Sequence, residues 1–282
     1  TATSTTVNAG GNMTIYAGGS ATLTTVNSGG AINGFTFSED RYFDSGFHIS
    51  NSYVNRNACL YAGQTVTSTT VNSAGHMDVY PGGGATATTV NSSGGMVVWN
   101  AGYATSTTVN SGGYMTGAGS AMSTTVNSGG KMWVGSAGYV NGLQIAKGAE
   151  VILNKGSRLD FRIVDQLSTA DLQVNDWSLI VDNGAFYTIT VGQNQWNGVY
   201  QLAGGAANFN KDITITVDGI GTIGTFTGGS NVITSGDYTY TLSKTESGTL
   251  TLTVQGGQEP PEVPQGNPVI TGGNAIQIMA DG

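Results

Sequence analysis

The chain has 282 residues, of which 45 are glycine, 5 are proline and only 9% are charged, and its hydrophobic share of 38% is low for a compact globule but too high for a disordered linker. The net charge of −8 comes without any cluster of Lys or Arg, which argues against nucleic acid and anionic membrane surfaces as partners. No apolar run reaches roughly 18 residues, the length typical of a membrane-spanning helix, and a single cysteine, Cys59, excludes an internal disulfide framework.

Residues 1–148 are built on a short repeat. The tetrapeptide Thr-Thr-Val-Asn occurs six times, and successive valines are 19, 45, 19, 19 and 17 residues apart, at Val7, Val26, Val71, Val90, Val109 and Val126. A degenerate copy at residues 52–55 splits the gap of 45 into 28 and 17. A methionine that opens an alternating apolar run follows four copies, at Met13, Met77, Met96 and Met132. Each unit is therefore predicted to be strand, Asn-Ser-Gly-Gly turn, strand and Ala-Gly-Gly turn.

This unit predicts an all-β fold, a parallel β-solenoid (β-helix) with coils of about 19 residues. A unit of this length is too short for a βαβ crossover and cannot bury its apolar face alone, so neighbouring coils must stack. Stacking aligns equivalent residues and places the repeated valines and the four methionines in inward columns. The repeated asparagines end the strands, where stacked amide side chains are predicted to form ladders.

Residues 34–57 interrupt the repeat and concentrate aromatic and charged side chains. The candidate recognition residues are Phe37, Glu39, Asp40, Arg41, Tyr42, Phe43 and Asp44. Two interpretations are open. Loops on rigid scaffolds carry binding, and aromatic rings beside charges suit a glycan or a protein partner. Alternatively, the segment folds over the flank of the solenoid and covers apolar surface.

The threonine before each valine is predicted to point outward, because strand residues alternate in direction. These residues form a predicted outward ladder interrupted by Tyr53, and they are Thr6, Thr25, Thr70, Thr89, Thr108 and Thr125. A flat Thr face is able to bind ice or accept sugars, but Thr is also a good strand former on a solvated face. The irregular spacing of 19, 28 and 17 residues argues against ice binding.

From residue 149 to residue 254 the short period dissolves, which predicts a less regular continuation of the solenoid. Strands are predicted at residues 150–153, 159–164, 178–181, 186–191, 212–217 and 238–242, and a hairpin around Ser247 closes this part. Acidic residues in this part are predicted to occupy solvated corners, at Asp160, Asp165, Asp171, Asp176 and Asp182.

Residues 255–282 are predicted to be a Pro-rich, acidic, extended linker followed by a C-terminal strand at 268–279. The strand is a candidate for addition to a neighbouring sheet edge, and so for head-to-tail assembly, through Val269, Ile270, Ala275, Ile276 and Ile278. A plain tether to a following domain fits the same residues.

Tandem units of Ser/Thr-Thr-Val-Asn-Ser-Gly-Gly in residues 1–148 resemble the passenger repeats of bacterial self-associating autotransporter adhesins. Residues 198–204, Gly-Val-Tyr-Gln-Leu-Ala-Gly, and residues 249–254, Thr-Leu-Thr-Leu-Thr-Val, are similar to the end of such passengers. The resemblance implies a right-handed solenoid displayed on the cell surface, adhesion or autoaggregation, and heptosylation of some Ser and Thr residues of the repeats.

A polysaccharide-acting enzyme is the main alternative, because lyases and hydrolases also use β-helices. Such reactions need paired carboxylates or a base beside acidic metal ligands, and the repeats supply almost none. The sequence therefore predicts a non-enzymatic, extracellular adhesin or fibre subunit with no catalytic residues, metal or cofactor. Its expected partners are other copies of itself, end to end or side by side, and glycans or neighbouring cell surfaces. No nucleic acid and no direct membrane insertion are expected.

Overall fold

The computed structural model describes residues 2–3, 5–8, 10–14, 21–22, 25–26, 31–33, 36–37, 48–50, 53–54, 57–167 and 172–260. Over these residues the chain is all-β apart from one turn of 3-10 helix at Trp177–Leu179. None of the described segments forms a helix with the length and apolarity that crossing a membrane requires.

The strands follow one another in short steps along the chain. The first are β1 Ala2–Thr3, β2 Thr6–Val7, β3 Asn12–Thr14, β4 Ala21–Thr22, β5 Thr25–Val26, β6 Ala31–Asn33, β7 Thr36–Phe37, β8 His48–Ser50 and β9 Tyr53–Val54. The regular coils hold β10 Asn57–Leu60, β11 Thr65–Thr67, β12 Thr70–Val71, β13 His76–Val79, β14 Gly84–Thr86, β15 Thr89–Val90, β16 Gly95–Val98, β17 Tyr103–Thr105, β18 Thr108–Val109, β19 Tyr114–Gly117, β20 Ser120–Val126, β21 Lys131–Val134 and β22 Tyr139–Ile145. The rest are β23 Glu150–Leu153, β24 Arg158–Arg162, β25 Ile180–Asp182, β26 Phe186–Val191, β27 Gly198–Ala203, β28 Ile213–Val217, β29 Gly221–Phe226, β30 Val232–Ser235, β31 Tyr238–Lys244 and β32 Leu250–Gln255.

Successive coils stack through in-register parallel strands. A seven-stranded sheet takes one strand per coil in the order β10-β13-β16-β19-β21-β23-β25. The larger sheet takes the two short strands in between, so that β11 pairs with β14 and β12 with β15. The register joins Asn72 to Asn91 across 19 residues and Asn110 to Asn127 across 17 residues. The predicted parallel β-solenoid with coils of about 19 residues is confirmed.

The coils from β10 to β18 contain three short strands each rather than the two predicted, whereas β20 and β22 each form one continuous strand of seven residues. A residue with left-handed backbone geometry separates the two short strands at Ser68, Ala87 and Ser106, which have φ of 53°, 52° and 56°. Ser123, with φ of 54°, is the equivalent residue inside β20. Gly142 takes the same place one coil later, with φ of 61°. The left-handed region disfavours residues that carry a Cβ, so these corners are local strain that the stacked coils on either side hold in place.

The interior consists of columns of apolar side chains. The valine column is buried at Val54, Val71, Val90, Val109 and Val126, and the methionine column at Met77, Met96, Met115 and Met132. Full burial of one such side chain contributes roughly 1.5–3 kcal/mol. The predicted place of Met13 was wrong, because Met13 aligns through Ile32 and Ile49 with Val66 rather than with Met77. Met13 lies in β3, which belongs to the larger sheet, whereas Met77 lies in β13 of the seven-stranded sheet.

The segment 34–57, predicted as an insertion, contributes strands to the solenoid. Thr36 pairs with Tyr53 and Phe37 with Val54, while β8 pairs with β11. Only parts of this segment, chiefly residues 38–47, lie outside the described residues. The bounds of the insertion stay a prediction, and within them the backbone of Phe37 takes the register position next to Val54 without the Thr-Thr-Val-Asn motif.

The C-terminal part ends the parallel stacking. Strands β24, β26 and β28 still pair in parallel, but β29 folds back antiparallel on β28. Strands β27, β32, β31 and β30 then form a four-stranded antiparallel sheet. The hairpin predicted around Ser247 is the β31–β32 pair, whereas β29 and β30 were not predicted. The aromatic rings of Tyr200, Phe226 and Tyr240 fill the interior of this part.

Candidate functional site

A column of threonines runs along the outward face of the regular coils. Its members are half-buried register partners, Thr70, Thr89, Thr108 and Thr125. Tyr53 precedes them in the column and Gln144 follows them. Thr6 and Thr25 pair with each other in a separate two-stranded sheet. The structure therefore brings four of the six predicted threonines together.

An asparagine ladder runs beside the threonine column. Each side-chain amide donates to the carbonyl oxygen of the previous coil, with distances of 3.2 Å from Asn91 to Asn72, 2.9 Å from Asn110 to Asn91 and 2.8 Å from Asn127 to Asn110. This confirms the predicted amide ladder. Residues 79–130, which contain most of this face, include no Asp, Glu, Lys or Arg. The threonine and asparagine columns thus form a polar, uncharged and repeating surface, called here the Thr/Asn face.

Two predicted sites lie outside the described residues. These are the candidate recognition residues Glu39, Asp40, Arg41, Tyr42, Phe43 and Asp44, and the candidate assembly residues Val269, Ile270, Ala275, Ile276 and Ile278. Phe37 belongs to β7 by its backbone, but its side chain also lies outside the description. Recognition by the first set and assembly through the second therefore stay predictions.

A stack of aromatic rings, which the sequence analysis did not predict, follows the seven-stranded sheet. The ring centroids of Tyr61 and Tyr80 are 4.8 Å apart, and those of Tyr80 and Trp99 are 5.8 Å apart, with interplanar angles of 5° and 3°. The indole of Trp99 also donates to the carboxylate of Asp78 at 2.8 Å. The sequence signal was present, because Tyr80 and Trp99 end equivalent alternating runs.

Asp160 organises a polar network where the coils become irregular. Its carboxylate accepts hydrogen bonds from the hydroxyls of Tyr139 at 2.6 Å, Thr188 at 2.9 Å and Thr190 at 2.8 Å. Burial and the adjacent Asp160 carboxylate raise the pKa of Tyr139, so the phenol keeps the proton that it donates. Asp160 is only 2% exposed. The prediction that it occupies a solvated corner was wrong, because it lies within β24 and three hydroxyls replace its hydration.

A cleft of about 460 Å³ opens beside this network. Its wall includes Arg162, whose two terminal nitrogens contact the Asp218 carboxylate at 2.9 and 3.3 Å. This contact raises the pKa of Arg162. Arg158 also lines the cleft, and it lines a second cleft of about 440 Å³ next to it.

One acidic group, Asp182, is held in place by its contacts with Lys211, which lines the second cleft, and with the backbone. Asp182 contacts the Lys211 ammonium at 2.8 Å and accepts from the backbone of Gly184 and Ala185. Burial works to raise the pKa of Asp182, but these hydrogen bonds outweigh it and the pKa is lowered. Across residues 57–167 and 172–260 and the shorter described segments, no group of three or more His, Cys, Asp and Glu side chains could hold a metal ion. Cys59 is buried.

The regular coils are similar to part of a known protein family. The model of a family described as "AIDA: Adhesin of bacterial autotransporter system, probable stalk" matches residues 63–113. The repeats of this chain resemble an autotransporter adhesin stalk. No curated protein matches the sequence. A solved structure described as "Crystal structure of TibC-catalyzed hyper-glycosylated TibA55-350 fragment" is 25% identical, with a TM-score of 0.35, and the match covers 78% of this chain and 79% of that chain.

The adhesin-like stalk segment coincides with the most regular part of the fold. Residues 63–113 include every strand from β11 to β18, and with them three of the four threonines of the column, Thr70, Thr89 and Thr108. The Asp160 network and its two clefts lie beyond the stalk match. The repeats did not predict the network or the clefts, because both depend on contacts between residues that are 26 to 30 positions apart in the sequence.

Proposed function

We propose that this chain is a bacterial cell-surface adhesin passenger that associates side by side with copies of itself and so attaches cells to one another or to a surface. The resemblance of residues 63–113 to an autotransporter adhesin stalk supports the surface location and the adhesin class. The stacked coils support a rod whose surface repeats at the spacing of the strands, about 4.8 Å.

The main support for self-association is that residues 79–130 contain no Asp, Glu, Lys or Arg. The whole chain has a net charge of −8, so two copies repel each other over most of their surfaces. This repulsion is weakest at the coils formed by residues 79–130, and the hydroxyl and amide groups of their Thr/Asn face are both donors and acceptors. Two such faces can therefore exchange hydrogen bonds at every coil without matching charges.

End-to-end assembly through the C-terminal strand is the second form of self-association. It stays a proposal that depends on Val269, Ile270, Ala275, Ile276 and Ile278. Among the described residues, the antiparallel return of β29 ends the parallel stacking at the C-terminal side. This arrangement favours contact between the sides of the rods.

We also infer that the protein is not an enzyme, either of the polysaccharide-acting class or of another. Asp160, the most buried carboxylate of the polar network, already accepts hydrogen bonds from three hydroxyl groups. A carboxylate saturated in this way is poorly placed to take a proton from a substrate. Ice binding has less support, because left-handed corners such as Ser106 separate Thr105 and Thr108 on the outer surface.

Charge placed on the Thr/Asn face tests the proposal. Thr89→Lys combined with Thr108→Lys introduces two positive charges in adjacent coils. When the chain is displayed on a non-aggregating bacterium, the variant is expected to slow the settling of cells several-fold. The matched control is Val97→Lys with Thr116→Lys, two half-buried register partners on the outer side of the seven-stranded sheet. Equal settling of both variants, each folded by circular dichroism, overturns the proposal.

A further inference from the structure

Three exposed side chains of different chemistry lie in one row at the irregular end of the solenoid. Arg158 of β24 is the register partner of Phe186 of β26. Asp212 directly precedes Ile213 of β28, which is the register partner of Tyr187. The row therefore runs from a guanidinium through a phenyl ring to a carboxylate, on strands about 4.8 Å apart. We call it the 158–186–212 row.

The row is open to solvent and is not occupied by internal contacts. Phe186 is 64% exposed, which is unusual for a large apolar side chain in a chain where the other phenylalanines of the C-terminal part, such as Phe209 and Phe226, are buried. Neither Arg158 nor Asp212 forms an ion pair or a side-chain hydrogen bond with a described residue. The neighbouring cations differ, since Arg162 is paired with Asp218 and Lys211 with Asp182.

The surroundings of the row are concave, rigid and rich in hydroxyl groups. The two clefts of about 460 and 440 Å³ share Arg158, Thr188 and Thr216 as lining residues. The hydroxyl of Thr188 is fixed by its bond to Asp160, and that of Thr216 lies 3.2 Å from the Thr190 hydroxyl. Side chains locked in this way lose little conformational entropy when a ligand binds.

We propose that the 158–186–212 row is a binding site for a neutral saccharide. The apolar C–H face of a pyranose ring packs on an exposed aromatic ring, as Phe186 offers. Vicinal hydroxyls on the ring edge pair with a planar guanidinium on one side and a carboxylate on the other. Because the flanking charges of Arg158 and Asp212 cancel, the site does not select an anionic sugar.

This site gives the proposed adhesin a ligand, and to that extent it rests on the proposed function. It is separate in place from the Thr/Asn face, most of which lies within the charge-free residues 79–130. Attachment to glycans and association between copies therefore depend on different side chains, and a variant can remove one while the other persists.

Binding of the purified full chain to an immobilised panel of neutral and uronate-containing oligosaccharides tests the proposal. The native chain is expected to bind at least one neutral oligosaccharide, and Phe186→Ala, Arg158→Gln and Asp212→Asn are each expected to weaken that binding at least about tenfold. Trp99→Ala removes an exposed ring from the opposite sheet and is expected to leave the binding unchanged. Thermal melts identify any variant that fails to fold. If Phe186→Ala fails to fold, the binding of Arg158→Gln and Asp212→Asn decides whether the site exists.

Two results overturn the site. They are the absence of binding to every saccharide of the panel, and binding that Phe186→Ala leaves as strong as before. A preference for uronates overturns the neutral class, since it requires a net positive site. Cell settling measured in parallel separates the two proposals, because failure of the saccharide site leaves the effect of Thr89→Lys with Thr108→Lys intact.

Discussion

Gly94 lies directly against the backbone of Val71, so that a Cβ on residue 94 would stand 2.8 Å from the carbonyl oxygen of Val71. The same contact recurs one coil later, where a Cβ on Gly113 would stand 2.7 Å from the carbonyl oxygen of Val90. Each occupies the fourth position of a repeated turn that begins with asparagine, at Asn91 and Asn110. The obstacle is the main chain of the preceding coil, which cannot move without breaking the parallel pairing. Glycine is therefore required by the stacking of the coils.

Gly94→Ala is expected to destabilise the solenoid by about 2 kcal/mol or more, because the added methyl group pushes two coils apart. Gly228→Ala is the matched control, since a Cβ on Gly228 would meet no atom within 4 Å. Urea denaturation followed by circular dichroism measures both. A Gly94→Ala midpoint equal to that of Gly228→Ala contradicts the steric argument.

A second prediction concerns the threonines that point inward. The hydroxyls of Thr88, Thr107 and Thr124 are buried and hydrogen-bond to no described residue. Valine has nearly the same shape without the hydroxyl group, so Thr107→Val is expected to stabilise the fold by about 1 kcal/mol. Thr108→Val changes the neighbouring half-exposed residue and is expected to have an effect near zero. A lower melting temperature for Thr107→Val than for the native chain rules out an unpaired hydroxyl as a source of instability.

The amide ladder provides a third prediction. Asn110 accepts from Asn127 and donates to Asn91, so Asn110→Ala removes two side-chain hydrogen bonds at once. The loss is expected to destabilise the protein by about 1–2 kcal/mol, because each bond contributes about 1 kcal/mol and the remaining amides lose a partner. Asn100→Ala, at an exposed asparagine outside the ladder, is the control. Identical unfolding midpoints of the two variants exclude a stabilising role for the ladder.

The periodic features of the fold could be predicted from the sequence, because stacking turns a repeat directly into columns. The valine, methionine and asparagine columns of the regular coils follow from the repeat spacing of 19 or 17 residues. Asp160 could not be placed in this way, since its burial depends on hydroxyls that arrive from strands 28 and 30 residues further along the chain. Phe186 was predicted as part of a strand, and it is exposed because the next residue of β26, Tyr187, is buried and side chains alternate along a strand. Met13 was misplaced because it and Met77 follow the same motif in the sequence but lie in different sheets.

The buried tyrosines make stability depend on alkaline pH, and Tyr240 isolates one contribution. Burial raises the pKa of Tyr240 to about 12, whereas a tyrosine in the unfolded chain titrates near 10. The folded state thus favours the protonated phenol, so the stability is fully present below about pH 10 and is lost as the pH rises towards 12. Between pH 8 and pH 11 the loss from this residue is about 1 kcal/mol. Tyr240→Phe, which cannot ionise, is expected to lower that loss, whereas Tyr103→Phe, at an exposed tyrosine, is expected to leave it unchanged. Urea midpoints at the two pH values measure the difference, and an equal loss in both variants contradicts the assignment to Tyr240.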